Sequence, residues 1–147
     1  MAMWKGFLTT DAKQWATIPL RIALGVIFLA HGGQKLFGWL GGKGLTATAG
    51  FFAGKLGMTP GMLWAALAGI GEFGGGLLLL FGLFTRLGAL FISIVMLVAI
   101  FKVHWGTFFM PTGVEFAFSL FSSAVALLIA GGGKFSLDSW LQKIDRT

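Results

Sequence analysis

The residue types best suited to chemistry in this sequence are a carboxylate and two bases inside long apolar runs. Glu72 is the single charge within the apolar segment 62–84, and His31 and Lys35 lie four residues apart in the segment 19–40. A spacing of four puts His31 and Lys35 on one helix face. Because a carboxylate at the centre of a membrane helix costs on the order of 2.5–3.5 kcal/mol, Glu72 predicts either a charged partner or a functional site.

Depth along the helices favours a contact between these residues. At roughly 1.5 Å per residue from the same face, His31 lies about as deep as Glu72, and Lys35 lies one turn shallower. An antiparallel pair of helices would therefore place Glu72 against both bases, with Gln34 beside them as a further candidate. Such a cluster can exchange protons or hydrogen-bond a polar ligand. The alternatives are a salt bridge that only fixes helix register, a lysine that extends to the interface, and a histidine bonded between helices.

Two further candidates, His104 and Glu115, flank the connection between the third and fourth apolar runs. They would extend the polar cluster toward one membrane face, or they are ordinary interfacial residues. No metal site is expected, because the chain has 2 histidines and no cysteine. A bis-histidine haem is disfavoured, since His31 is deep and His104 is near the surface.

Two arginines and two glycines have simpler interpretations. Arg21 and Arg86 are expected to set topology and to bind lipid head groups. The glycine-rich string 69–74 matches GxGxxG, but it lies inside an apolar run without the preceding strand that a dinucleotide site requires. Gly71 and Gly75, four residues apart, instead predict close helix packing.

Composition determines the class of protein. Of 147 residues, 56% are hydrophobic and only 11% are charged, whereas soluble proteins have about 25% charged residues. The net charge of +6 is scattered between apolar runs, so nucleic acid is not expected as a partner. The lipid bilayer is the expected partner.

The apolar runs predict an all-α integral membrane protein in a single domain covering residues 1–147. We expect a four-helix bundle with spans at about 19–40, 62–84, 87–103 and 114–130. Amphipathic helices at the interface are expected within residues 1–17 and 136–144. The spans divide the positive residues into two groups: Lys5, Lys13, Arg21, Arg86, Lys134, Lys143 and Arg146 lie on one side, and Lys35, Lys43, Lys55 and Lys102 lie on the other. This imbalance predicts a multi-pass protein of the bacterial inner membrane with both termini in the cytoplasm.

A set of these residues resembles the DoxX family of small bacterial membrane proteins over residues 20–141. The residues that carry the resemblance are Arg21, Gly25, His31, Gly32, Lys35, Phe51, Phe52, Glu72, Gly82, Leu83, Thr85, Arg86, His104 and Glu115. The resemblance implies a four-helix inner-membrane protein with polar positions at His31, Lys35, Glu72, Arg86, His104 and Glu115. Some members of that family are subunits of a thiosulfate:quinone oxidoreductase, and others accompany systems that handle catechols, hydroquinones or oxidative stress.

The sequence is compatible with three functions. The first is an accessory or quinone-binding subunit of a membrane redox system, with no intrinsic cofactor and with electrons supplied by a redox partner protein. The second is a structural or assembly subunit in which Glu72 only locks the helices. The third is a small-solute transporter, which on this scale would need a homo-oligomer.

Overall fold

The computed structural model describes residues 5–109 and 111–144, and this part of the chain contains seven α-helices and no strand. The expected all-α class is therefore confirmed. The helices are α1 (Lys5–Leu8), α2 (Thr17–Phe37), α3 (Gly44–Gly54), α4 (Gly61–Phe81), α5 (Thr85–Lys102), α6 (Glu115–Ala130) and α7 (Leu137–Ile144), with one 3₁₀ turn at Trp39–Gly41.

The four longest helices, α2, α4, α5 and α6, coincide with the four apolar runs, but two of them end earlier than predicted. Helix α2 ends at Phe37 because Gly38 adopts a left-handed conformation with φ 75°. Helix α4 ends at Phe81 for the same reason, since Gly82 has φ 61°. Glycine adopts this conformation without a Cβ clash, and it ends helices for that reason.

Two of these helices are long and apolar enough to cross a membrane. They are α4, with 21 residues and a mean hydropathy of 1.6, and α5, with 18 residues and a mean hydropathy of 1.9. Large apolar side chains on the outer faces remain open, such as Ile70 at 61% and Ile129 at 70% exposure. Apolar side chains that face outward in this number suit lipid better than water.

The long helices pack side by side in the order α2, α4, α5 and α6, and α6 also contacts α2. Helix α3 lies against α4 and α2. Between the long helices is one apolar core, made of Leu24, Phe28, Leu79, Ala89, Ile92, Met96, Ile100, Ala117, Leu120, Ala124 and Leu127.

Glycines bring α2 and α4 into very close contact. A Cβ at Gly76 would lie 2.7 Å from the backbone N of Leu29 and 2.9 Å from the backbone O of Gly25. A Cβ at Gly32 would overlap the backbone of Phe73. Only glycine permits this approach, and small residues serve the same purpose in membrane helix pairs.

The predicted packing glycines, Gly71 and Gly75, face α5 instead of α2. A Cβ at Gly75 would lie 3.0 Å from Cγ1 of Ile92, which is tight. A Cβ at Gly71 would lie 3.4 Å from Cγ2 of Val95, which is an ordinary contact distance. Gly75 thus lies at a close crossing of α4 and α5, whereas Gly71 borders a more open space.

The predicted N-terminal amphipathic helix is wrong over the residues that can be compared. Within residues 5–17, the α-helix before α2 is α1, which ends at Leu8, and residues 1–4 lie outside the described part of the chain. The Asp11 carboxylate accepts a hydrogen bond from the N–H of Lys13 at 2.9 Å, which favours a turn over a helix. The predicted helix would have placed Phe7, Leu8 and Trp15 on one apolar face, and the turn after Leu8 separates Trp15 from the other two.

The C-terminal helix α7 is present and is amphipathic in an unusual sense. Its polar residues Asp138 and Ser139 are buried, whereas Leu137, Trp140 and Ile144 are 40%, 58% and 52% exposed. The buried face of α7 thus carries Asp138 and Ser139, whereas its exposed face carries the apolar side chains together with Lys143.

Candidate functional site

An ion pair joins α2 to α4 at the predicted polar cluster. The Nζ of Lys35 donates a hydrogen bond to Oε2 of Glu72 at 2.6 Å. The Glu72 side chain is 3% exposed and the Lys35 side chain is 26% exposed. The carboxylate is therefore enclosed by protein, while the Lys35 side chain keeps part of its surface open.

The close contact of α2 and α4 positions this pair. Glu72 lies one residue before Phe73, whose backbone packs on Gly32 of α2. Lys35 follows Gly32 by three residues, which returns to the same helix face. The glycine contact and the ion pair thus belong to one crossing of the two helices.

A cavity of about 660 Å³ opens beside this ion pair. Its walls come from α2 to α6 and are predominantly apolar and aromatic, including Phe28, Phe51, Phe52, Trp64, Phe91 and Phe116. Its polar lining includes Lys35, Glu72, His31, His104, Lys43 and Thr48. A cavity of this size, with apolar walls and a few polar groups, is typical of a small-molecule site.

Four of the six predicted ligand or proton-handling residues meet at this cavity: Glu72, Lys35, His31 and His104. The Nδ1 of His104 lies 3.0 Å from the carbonyl oxygen of Thr112, which fixes the ring at one end of the cavity. Their predicted roles stay predictions, but the structure supplies the space in which those roles would be exercised.

The structure places the other two candidates, Gln34 and Glu115, outside the cavity lining. The Nε2 of Gln34 donates to the carbonyl oxygen of Leu40 at 3.4 Å, across the turn that follows α2. Glu115 begins α6, and its backbone N–H donates to the carbonyl oxygen of Phe108 at 3.0 Å. Neighbourhood in sequence suggested Gln34, but it lies on a different side of α2 from Lys35.

Helix α3 supplies cavity residues that the sequence did not single out as site residues. Phe51, Phe52 and Thr48 come from α3, and Lys43 directly precedes it. Phe52 also packs with Ala49 and Ala65 in a small cluster between α3 and α4. A length of 11 residues is too short for a span, and no periodicity indicates that this helix closes one side of a cavity.

A second polar region lies at the other end of the helices and corrects the interpretation of Arg21. The Arg21 side chain is 3% exposed and its Nη2 donates to the carbonyl oxygen of Phe135 at 3.1 Å. A buried guanidinium does not reach a lipid head group. Arg86 is partly exposed, and its guanidinium donates to the carbonyl oxygens of Thr9 and Leu128 at 3.0 and 2.8 Å.

Asp138 is the centre of this second region, and sequence reasoning missed its role. Its two carboxylate oxygens accept the backbone N–H groups of Phe84 and Thr85 at 2.7 and 2.9 Å. These are donors at the start of α5 that have no partner within that helix. Burial raises the pKa of Asp138, and the two backbone hydrogen bonds and the charge of Arg21 oppose this increase. Asp138 thus ties α7 to the N-terminus of α5.

Within the described residues, no group of three or more His, Asp or Glu side chains is arranged to hold a metal ion. The cavity residues instead suit an organic ligand. Lys35 can donate hydrogen bonds, the carboxylate of Glu72 can accept them, and neutral histidine can do both.

The helical architecture, the exposed apolar faces and the two helices long and apolar enough to cross a membrane indicate a membrane protein with a partly open, polar-edged cavity. The chain belongs to the DoxX family, whose model matches residues 16–105. The matched range contains His31, Lys35, Glu72 and His104, and it ends before Asp138.

One relative has a name that refers to an activity. "Putative oxidoreductase CatD" of Bacillus subtilis (strain 168) is 32% identical to this chain over 127 residues, which cover 86% of this chain and 87% of that protein. No solved structure matches the chain significantly.

Proposed function

We propose that this protein binds a quinone or a similar small aromatic molecule as an accessory subunit of a membrane redox system. It resides in the bacterial inner membrane as a multi-pass protein with both termini in the cytoplasm, as the distribution of Lys and Arg favours. The observation that carries the proposal is the aromatic-walled cavity of about 660 Å³ with the Lys35–Glu72 pair at its wall.

The cavity residues match the chemistry of such a ligand. A flat ring packs against aromatic side chains such as Phe52 and Trp64. The Lys35 side chain is partly exposed, and its ammonium group would donate a hydrogen bond to a carbonyl or phenolate oxygen of the ligand. Glu72 and His31 would hold and exchange the protons that accompany electron transfer to a quinone.

Electrons would come from a partner protein. The chain has no cysteine for an iron–sulfur cluster, and its sequence contains no credible flavin motif. The name of the Bacillus relative, an oxidoreductase, agrees with a role in a redox system. An accessory, ligand-binding subunit therefore fits better than a complete enzyme.

A second function is favoured by one observation. The 2.6 Å bond between Lys35 and Glu72 joins the two most closely packed helices, so the pair would also serve purely as a lock between them. In that case the protein is a structural or assembly subunit and the cavity holds only lipid.

Analysis of bound ligand separates these functions. The protein is purified under mild conditions, extracted with organic solvent and examined by mass spectrometry. Wild type is expected to carry a quinone or other small aromatic at near-stoichiometric level. His31→Ala and Glu72→Gln are expected to reduce it about tenfold or more, which corresponds to about 1.4 kcal/mol of binding free energy.

A cavity-filling variant tests the site without changing a charge. Ala68 lines the cavity from α4, whereas Ala66 on the same helix does not. Ala68→Phe should displace the ligand, and Ala66→Phe should retain it. Equal ligand content in both variants and in wild type, or lipid alone in all samples, would contradict the proposal.

A further inference from the structure

The outward face of α7 is a feature that the cavity does not explain. Leu137, Trp140 and Ile144 face outward while Asp138 is fully buried. In a helix on the surface of a soluble domain the opposite arrangement is usual, with apolar residues inward and charges outward. The outer face of α7 therefore suits an apolar environment.

This apolar face continues onto the segment before α2. Trp15 and Phe135 are 58% and 72% exposed, and their rings meet edge to face at 5.6 Å. Phe135 also lines one pocket with Trp140 of α7, and we call the rings of Trp15 and Phe135 and the outward residues of α7 the α7 face. Tryptophan and phenylalanine side chains at such a surface suit the boundary between lipid head groups and acyl chains.

Two lysines line a small pocket at the α7 face. The pocket, of about 260 Å³, is lined by Ala12, Lys134, Phe135, Ser136, Ser139, Trp140 and Lys143. The Nζ of Lys134 lies 3.9 Å from the centre of the Trp15 ring, so its ammonium group is held at the edge of the apolar surface. None of the pocket-lining residues is acidic.

The burial of Asp138 is what leaves this pocket positive. Its carboxylate points toward the start of α5 and is occupied by two backbone N–H groups. It therefore does not pair with either lysine of the pocket. Two ammonium groups beside exposed aromatic rings form a site complementary to a phosphate group attached to acyl chains.

We propose that the α7 face is a binding site for an anionic phospholipid, whose phosphate group occupies the pocket between Lys134 and Lys143. Trp140 and Phe135 contact the glycerol and the first part of the acyl chains. The ligand is a lipid of the surrounding bilayer, and this site is separate from the cavity at Lys35 and Glu72. A basic pocket at a membrane surface gains about 1 kcal/mol per lysine from anionic lipid.

Lipid retention tests the proposal. The protein is purified from nanodiscs of phosphatidylglycerol and phosphatidylcholine, and the retained lipid is counted by native mass spectrometry. Lys143 is exposed, so Lys143→Gln should fold normally, and it is expected to reduce retained phosphatidylglycerol about fivefold. A Lys134→Gln/Lys143→Gln double variant should reduce it further, with phosphatidylcholine unchanged.

The matched control is Lys102→Gln, an exposed lysine at the far end of α5. It should retain phosphatidylglycerol at the wild-type level. Equal retention of the two lipids by wild type would overturn the proposal and would indicate bulk lipid, a partner protein or a second copy on the α7 face. An equal loss in Lys102→Gln would overturn it as well, because the effect would then be one of total charge.

Discussion

The two polar regions of this protein lie at opposite ends of the same helices and use their charges differently. At one end, Lys35 and Glu72 bind each other beside a cavity. At the other end, Arg21, Arg86 and Asp138 bind backbone carbonyl and N–H groups of segments far away in sequence. Both regions bury charge inside an apolar protein, but the first places its ion pair beside a cavity of about 660 Å³, whereas the buried carboxylate of Asp138 is held by two backbone N–H groups.

Because of this difference, we expect Lys35 to be able to exchange its hydrogen-bond partner for a ligand and Asp138 to keep its partners. The Lys35 side chain is 26% exposed and would be able to turn from Glu72 to a ligand, whereas Asp138 is fully buried and both of its oxygens are occupied. Buried charge in a membrane protein is commonly taken as a sign of function. In this protein burial alone does not distinguish the two regions, because both contain buried charge. At the candidate site Glu72 pairs with Lys35 beside a cavity, whereas Asp138 binds backbone N–H groups and so ties α7 to α5.

The largest expected effect is a loss of stability when the contact between Asp138 and the start of α5 is removed. Asp138→Ala leaves the N–H groups of Phe84 and Thr85 without partners at the start of α5. Each unsatisfied buried donor costs about 1–3 kcal/mol, so the variant should lose about 3 kcal/mol of unfolding free energy. Thermal unfolding in detergent measures this loss.

The control for this prediction is Asp11→Ala, because Asp11 is exposed and bonds only within its own turn. It should change stability by less than about 0.5 kcal/mol. Ligand content should stay at the wild-type level in both variants. If Asp138→Ala instead removed the ligand while it remained folded, the two regions would be coupled and the comparison would be wrong.

A smaller effect is expected where α2 meets α4. Gly76→Ala would insert a methyl group within 2.7 Å of the backbone of Leu29 and force the helices apart, at a cost of about 2 kcal/mol. Gly74→Ala on the same helix meets nothing within 4 Å and should be neutral or stabilise α4 by up to about 1 kcal/mol. Unfolding midpoints of the two variants check this prediction, and equal midpoints would contradict the close packing.

The smallest effect expected concerns pH. Burial raises the pKa of Asp138 above its ordinary value of 3.8, so the folded protein binds this proton more tightly than the unfolded chain. Stability from this group is therefore complete below pH 3.8 and declines as pH rises through the raised pKa. Asp138→Asn should remove this dependence. The midpoint of thermal unfolding measured against pH tests the sign, and a wild-type midpoint that instead rises over this range would contradict it.

Much of the helical layout was predictable from the sequence, and the reasons are physical. Long apolar runs bounded by glycine mark the four long helices. Antiparallel neighbours were expected to place Glu72 level with His31 and one turn from Lys35, because a carboxylate in an apolar helix needs a partner, and the structure pairs Glu72 with Lys35. Whether the four long helices form a transmembrane bundle stays a prediction from the sequence.

Other parts could not be predicted, because they depend on long-range contacts. The cap of α5 comes from Asp138, more than 50 residues later, and no local pattern encodes that distance. Gln34 was predicted from its neighbours, but its side chain turns to Leu40. The contribution of α3 to the cavity depends on how a short helix docks, which apolar periodicity does not specify.

The most direct test of the central claim removes both charges of the candidate site together. The double variant Lys35→Met/Glu72→Gln leaves no unpaired charge behind, and replacing a buried ion pair with neutral groups is often neutral for stability. We predict a folded protein with a near-wild-type unfolding midpoint and no quinone or aromatic ligand in its solvent extract. A folded double variant that retains the ligand at the wild-type level would contradict the account, because the pair would then be only a lock between α2 and α4.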